Sequence, residues 1–469
     1  MTILAIDQGT TTTRALIVDE RGARVVMSRA HAQHYIRPGW VEHDGNELLA
    51  NLRACLDAGA GAAVTAVGLA NQGESCLGWD AETGEPVGPV IVWQDDRTAG
   101  VTDRLRAEGC EPMVRAAAGL PLDPYFSAAK LGWILRENRQ AQRLHGQGRL
   151  RLGTTDAFFR DRLTGRFETD VTTASRTSLM NLRALDWDPA LCALFGVPRE
   201  CLPAITATTG KLGVAGGIPL TASVVDQQAA LHGHGCRRQG DAKITFGTGA
   251  FALALTGELR DAEGILPTVA WARAGEAAVH ALDGGVYAAS AAVNWMRGLG
   301  LFDDWADIDH FDAEPAIARG IAFVPALSGL ACPHWDRRAR GAWMGLGLDT
   351  GPRDMAQAVL EGVAFRMAEV MARMGEVVTL TGPVSIDGGM SANPWFCRFL
   401  AAALGRPVLV SDEPELTAVG TAQLAAHGAG ATLDVPRRGR LVEAEPAPVA
   451  WHARFAAARA AVQGFGAAV

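Results

Sequence analysis

Apolar residues in the first twenty positions fall on alternate places. Ile3 and Ala5 precede a polar turn around Gly9, and Leu16 and Val18 follow it. A period of two predicts a pair of short strands joined as a hairpin. "HDGNELLANLRACL" (43–56) changes to a helical period, with Asp44 as N-cap. "TAVGLANQGES" (65–75) reads as a strand ending in a polar turn, and "GPVIVWQDDRT" (88–98) as another. The pattern is helical between 126 and 145 and near 189 to 195. "GGIPLTASVVDQQAALHGHG" (216–235) reads strand, turn, helix, with Asp226 at the junction.

The next stretch, "RRQGDAKITFGTGAFALALTG" (237–257), repeats the opening theme of strand, glycine-threonine turn and second strand. It marks a second domain, so the chain divides into 1–237 and 238–469. The longest predicted helix runs from 353 to 375. Met355, Val359, Val363, Met367 and Met371 recur there every fourth residue, with Leu360 and Ala364 beside them, as a core stripe. "VSIDGGMSANPWF" (384–396) is again strand, glycine turn, helix. The tail after 430 is a surface wrap or a terminal helix. Strands and helices alternating throughout predict an α/β fold with largely buried sheets.

Composition narrows the chemistry. With 469 residues, two or three domains are expected. The formal charge is -8 and no segment gathers a basic patch, which excludes nucleic acid and favours a small-molecule partner. Eight scattered cysteines without a C-x-x-C pair read as free, packed thiols of a reducing compartment. No basic n-region precedes an apolar stretch, and no 18-residue strongly apolar stretch occurs. A cytoplasmic protein without membrane insertion is the expectation.

"AIDQGTTTTRAL" (5–16) sets Asp7 beside a glycine turn and four threonines. Glycine lets backbone N–H groups approach a phosphate, and threonine hydroxyls add donors. The Asp7 carboxylate repels phosphate but can hold Mg²⁺ through water, and Arg14 adds positive charge. Alone, the motif is also that of a threonine-rich edge hairpin. The second hairpin, with "FGTGAF", shifts the balance towards a nucleotide. "DGGMSAN" (387–393) offers a strand-to-helix glycine turn against which adenosine can pack. "HGHG" (232–235) lacks a third ligand and reads as structural rather than metal-binding.

These motifs, with "PGWVEHD", "GLPLDPYFSAAKLGWIL", "TASRTSLMNL", "LDWD" and "WDRRARGAWMGL", resemble the FGGY carbohydrate kinases nearly end to end. The resemblance implies an actin-like ATPase fold: two ribonuclease-H-like α/β domains, an N-terminal one with the polyol site and a C-terminal one for the nucleotide, with a cleft between them. It implies ATP-dependent phosphorylation of a primary hydroxyl of a small polyol, glycerol first. A kinase for a four- or five-carbon polyol or ketose, and an idle nucleotide-binding actin-like or sugar-sensing protein, are the alternatives. It also implies ATP and Mg²⁺ as cofactors and a homo-oligomer, dimer or tetramer.

Position by position, the resemblance makes Asp226 the catalytic base, although helix N-capping also suits an acid there. It associates Asp7 with the metal. Thr10, Thr11, Thr12 and Arg14 form the first nucleotide loop, Thr248 and Gly249 the second, and Asn294, Gly389 and Asn393 the adenosine end. Glu74, Tyr125, Asp226 and Gln227 bind the polyol, with Trp93 and Phe251 as apolar walls or as plain core. One departure stands out: Gly73 occupies the place of an arginine that reaches polyol oxygens in glycerol-phosphorylating members.

Overall fold

The computed structural model describes every residue except 62 and 469. It forms two compact units: Met1–Gly235 with Thr268–His280 and Glu415–Pro436, and Cys236–Pro267 with Ala281–Pro414 and Arg437–Val469. The linear division at 237/238 therefore acquires two exchanged segments. The Leu416–Gly428 helix packs on the strands Ile3–Gln8, Ala66–Asn71 and Ile218–Val225 and on the helix Asp226–Gly233, all in the first unit. Burial of its apolar residues decides its membership, whatever its place in the chain.

In the first unit, consecutive strands of the main sheet are Thr12–Asp19, Ile3–Gln8, Ala66–Asn71 and Ile218–Val225. The first two form the expected antiparallel hairpin, and the others run parallel to Ile3–Gln8. Ile3, Leu4, Ala5 and Ile6 are all buried, because this sheet is covered on both faces. The Gly45–Gly59 helix brings Leu48, Leu49 and Leu52 onto Leu4, Ile6, Ile17 and Leu69. Asp44 caps it as read, accepting from the N–H groups of Asn46 and Glu47.

The second unit repeats the arrangement. Ala250–Gly257 and Ala242–Phe246 are antiparallel, followed in the sheet by Val384–Gly388 and Val408–Ser411, both parallel to Ala242–Phe246 in direction. The long helix is Pro352–Gly375, with Val359, Leu360, Val363, Ala364, Met367 and Met371 buried. The tail adds the strand Gly439–Val442 and the helix Val449–Ala467.

Two elements differ from the pattern reading. The stretch 88–98 keeps only Val90–Ile91 as strand, because Asp95 turns the chain by accepting from the N–H groups of Val41 and Arg97. The helical stretch 126–145 breaks at Asn138, whose side chain caps a new helix, Arg139–Gly146. Among the described residues no helix is long and apolar enough to cross a membrane.

Candidate active site

Three parallel strands of the first unit end side by side. Gln8 pairs with Asn71, and Asn71 with Val225. Asp7, the Asn71–Glu74 turn and Asp226 thus share the carboxyl edge of one sheet, where open α/β sheets bind ligands. Asp226 is the first helical residue after Val225, half-buried, and its Oδ1 accepts from the Gln227 N–H at 2.7 Å.

At Glu74 the backbone enters the left-handed region (φ 57°), which disfavours any side chain. The carboxylate is fixed there by Arg176, whose Nε donates to its Oε1 at 2.6 Å, and both side chains are 5% exposed. Ser127 Oγ donates to the Glu74 carbonyl. Beside this pair, the Trp93 and Tyr125 rings meet edge to face at 5.6 Å, and the Arg176 guanidinium lies 6.0 Å from the Tyr125 ring. Lys130 is wholly buried beneath them and donates to the carbonyls of Trp93 and Tyr125, at 3.1 and 3.0 Å. Burial pulls its ammonium down to about 8. Arg176 and Lys130 escape a motif reading of Glu74, Trp93 and Tyr125. The only signals are a charged residue in "TASRTSLMNL" and one in the apolar helix "SAAKLGWIL".

Trp93 also reaches the hairpin turn, its Nε1 donating to Thr10 Oγ1 at 3.1 Å. Thr10 and Thr12 are half-buried and Thr11 is exposed. Arg14 lies directly across the hairpin from Asp7. Its guanidinium binds Asp7 Oδ2 at 3.1 Å and Glu415 Oε1 at 2.8 Å, so two carboxylates already share its charge. Burial raises the Asp7 pKa, and Arg14 opposes the shift. Among the described residues no three His, Cys, Asp or Glu side chains cluster as a metal cage. His232 of the "HGHG" run packs edge-on against Trp271 and sits 3.1 Å from Gln423.

In the second unit, a cavity of about 450 Å³ is lined by Ser290, Asn294, Ile308, Gly389, Met390 and Asn393, among others. Gly388, just before the lining residue Gly389, has φ 90°, and a Cβ there would stand 2.2 Å from the Phe246 carbonyl oxygen, so only glycine fits. Asn393 spends both ends of its amide on the walls, donating to the Ile308 carbonyl and capping the helix Pro394–Leu404. Asn294 stands exposed on the helix Ser290–Gly298. That helix starts against the Gly247–Gly249 turn, the Thr248 carbonyl accepting from the N–H groups of Ala289 and Ala291. Thr248 is exposed and Gly249 buried. Phe251 lies over Gly285 in this same unit.

The N-terminal domain model of the FGGY family of carbohydrate kinases matches residues 2–233, and the C-terminal domain model matches 242–429. The chain belongs to the FGGY family of carbohydrate kinases. As an FGGY kinase it is an enzyme with the family's two-domain, actin-like architecture. It is 41% identical over 446 residues to a glycerol kinase of Geobacter sp. strain M21, covering 91% of this chain and 90% of that protein. A glycerol kinase of Thermus brockianus is 42% identical over 447 residues, covering 92% and 90%. The crystal structure of Plasmodium falciparum glycerol kinase with ADP superposes with a TM-score of 0.90 at 28% identity, over 99% of this chain and 98% of that one.

Proposed function

We propose that this FGGY kinase transfers the γ-phosphoryl group of ATP to a primary hydroxyl of glycerol, giving glycerol 3-phosphate and ADP. The observation that carries the reading is the identity of about two residues in five, over nine-tenths of the chain, with several proteins named glycerol kinase. The buried Glu74–Arg176 pair beside Trp93 and Tyr125 supports it, since a polyol presents hydroxyl edges to charges and CH faces to rings.

Asp226 accepts the alcohol proton as the oxygen attacks the γ-phosphorus. The new O–P bond forms while the bond to the β-phosphate oxygen breaks, and ADP leaves. Phosphoryl transfer rests on alignment and charge neutralisation, so a carboxylate at the right place suffices. Glu74, Tyr125 and Gln227 orient the polyol, and Trp93 and Phe251 supply apolar contact. Thr10, Thr11, Thr12, Thr248 and Gly249 serve the phosphates. The cavity at Asn294, Gly389 and Asn393 takes adenosine, which suits its glycine-lined wall.

The donor set suits a magnesium ion that arrives with the nucleotide rather than a resident one. Mg²⁺ commonly needs one or two carboxylates and keeps its remaining water and phosphate ligands. Asp7 would hold it, and the ion would neutralise phosphate charge. Gly73 favours a second reading, a longer polyol or a ketose in the space left by the missing arginine.

A coupled ADP-release screen across glycerol, erythritol, threitol, ribitol, xylitol and the pentuloses tests both. Glycerol is expected to give the highest kcat/KM; a longer acceptor in first place selects the second reading. Asp226→Asn should bind ATP and lose turnover, and turnover retained in that variant removes the base assignment.

A further inference from the structure

Behind Asp226 lies a buried polar chain that the reaction does not use directly. Asp170 is fully buried and caps the short helix Val171–Ala174, accepting from the Thr173 N–H at 3.0 Å. Its other oxygen accepts from Thr208 Oγ1 at 2.8 Å. The Thr172 hydroxyl donates to Asp170 Oδ2 and accepts from the backbone N–H of Val225 at 3.0 Å. Thr173 Oγ1 donates to Asn71 Oδ1 at 3.3 Å. One carboxylate thereby ties down the ends of two neighbouring strands, the one that carries Asp226 and the one that leads to Glu74.

The order of donors matters. A threonine hydroxyl has one proton, and with that proton given to Asp170 its lone pairs face the Val225 N–H. Val225 is buried at the sheet end and its N–H has this hydroxyl as acceptor. Asp226 follows one residue later, so the hydroxyl sets where the carboxylate starts.

We propose that Thr172, oriented by Asp170, is a positioning residue for phosphoryl transfer, holding the Val225 backbone so that Asp226 stays aligned with the attacking hydroxyl. The proposal rests on the reading of Asp226 as base. Alignment enters kcat, whereas polyol and ATP contacts enter KM.

The test is steady-state kinetics of the full chain with glycerol and ATP, and a fluorescent trinitrophenyl-ATP titration to count folded nucleotide sites. Thr172→Val should lower kcat per folded site at least tenfold, with both KM values within threefold of the parent. Thr172→Ser, which keeps the hydroxyl, should recover kcat to within threefold. Thr172→Ala, which removes the same hydroxyl without adding bulk, should lower kcat as Thr172→Val does, because the Val225 N–H loses its acceptor in either variant. A Thr172→Val protein with parental kcat overturns the proposal, as does a Thr172→Ser that recovers nothing. If Thr172→Val yields no folded protein, Thr172→Ala decides, and parental kcat in it is a refutation. Asp226→Asn run alongside separates the two claims: inert Asp226→Asn with active Thr172→Val removes the positioning role alone, and active Asp226→Asn removes the base reading as well.

Discussion

The helix that begins at Asp226 is held by a crossing with no room for a single methyl group. Gly420, on the Leu416–Gly428 helix, faces the Asp226–Gly233 helix, and a Cβ at 420 would stand 1.8 Å from the Ala229 carbonyl oxygen and 2.6 Å from the Gly233 nitrogen. Gly233 answers it, its own Cβ position lying 1.9 Å from the Leu416 carbonyl oxygen. Ordinary contact begins at 3.4 Å, so Gly420→Ala requires an opening of 3.4 − 1.8 = 1.6 Å. Every obstructing atom is backbone, so no side chain can turn aside and one helix must move. Overpacking that shifts backbone costs about 3 kcal/mol, at the upper end of its usual range. Alanine's better helix propensity returns about 1 kcal/mol, leaving a net loss of about 2 kcal/mol.

For a unit of this size that corresponds to a fall of roughly 4–8 °C in Tm. Because the displaced helix starts at Asp226, kcat should drop at least tenfold in the same variant. Scanning calorimetry and the coupled assay read both. Gly464→Ala is the control: it lies in the helix Val449–Ala467 with nothing within 4 Å of its Cβ position, and should hold or raise Tm. A Gly420→Ala protein that melts within 1 °C of the parent, with parental kcat, would refute the reasoning.

Gly73→Arg should fold, since a Cβ there meets only the Val225 side chain, Cγ1 at 3.3 Å and Cγ2 at 4.0 Å, which yields by a few tenths of an ångström. With glycerol as acceptor, the added charged donor is worth about 2–3 kcal/mol, so KM for glycerol should fall by about a hundredfold; an unchanged KM would show that the pocket already satisfies those oxygens. His43 supplies a pH dependence. Burial is the main cause of its fall to about 4, helped by the proximity of His31, while its hydrogen bond to the Ala32 carbonyl opposes it. A depressed folded pKa means that the stability is in place above about pH 6.5 and is lost as pH falls through about 4. The loss is roughly 3 kcal/mol. His43→Gln, whose amide can still donate to Ala32, should flatten the decline of Tm from pH 7 to 4.5, and parallel profiles for the two proteins would contradict this.

The local chemistry of this chain is written in its order of residues. Alternation around Gly9 and again around Thr248 gives both hairpins, Asp44 announces its helix, and the apolar period of four gives the helix Pro352–Gly375. Each depends on residues within a few positions of one another, where backbone preference and side-chain period act directly. The site residues named from the family motifs also gather within each unit: Glu74, Trp93 and Tyr125 on the first, Asn294, Gly389 and Asn393 around one cavity of the second.

Tertiary structure decided what no local window contains. Arg14 pairs with Glu415, 401 residues away, and Arg176 with Glu74, 102 away. Lys130 is a buried ammonium in what reads as an ordinary apolar helix, and Thr172 takes its meaning from the Val225 N–H. The Leu416–Gly428 helix leaves the C-terminal half of the chain to close the first unit. Its sequence calls for burial without specifying against what. The partner is set by shape, by two glycines that let backbones touch, and by the cost of leaving a charge or an N–H without a counterpart once water is excluded.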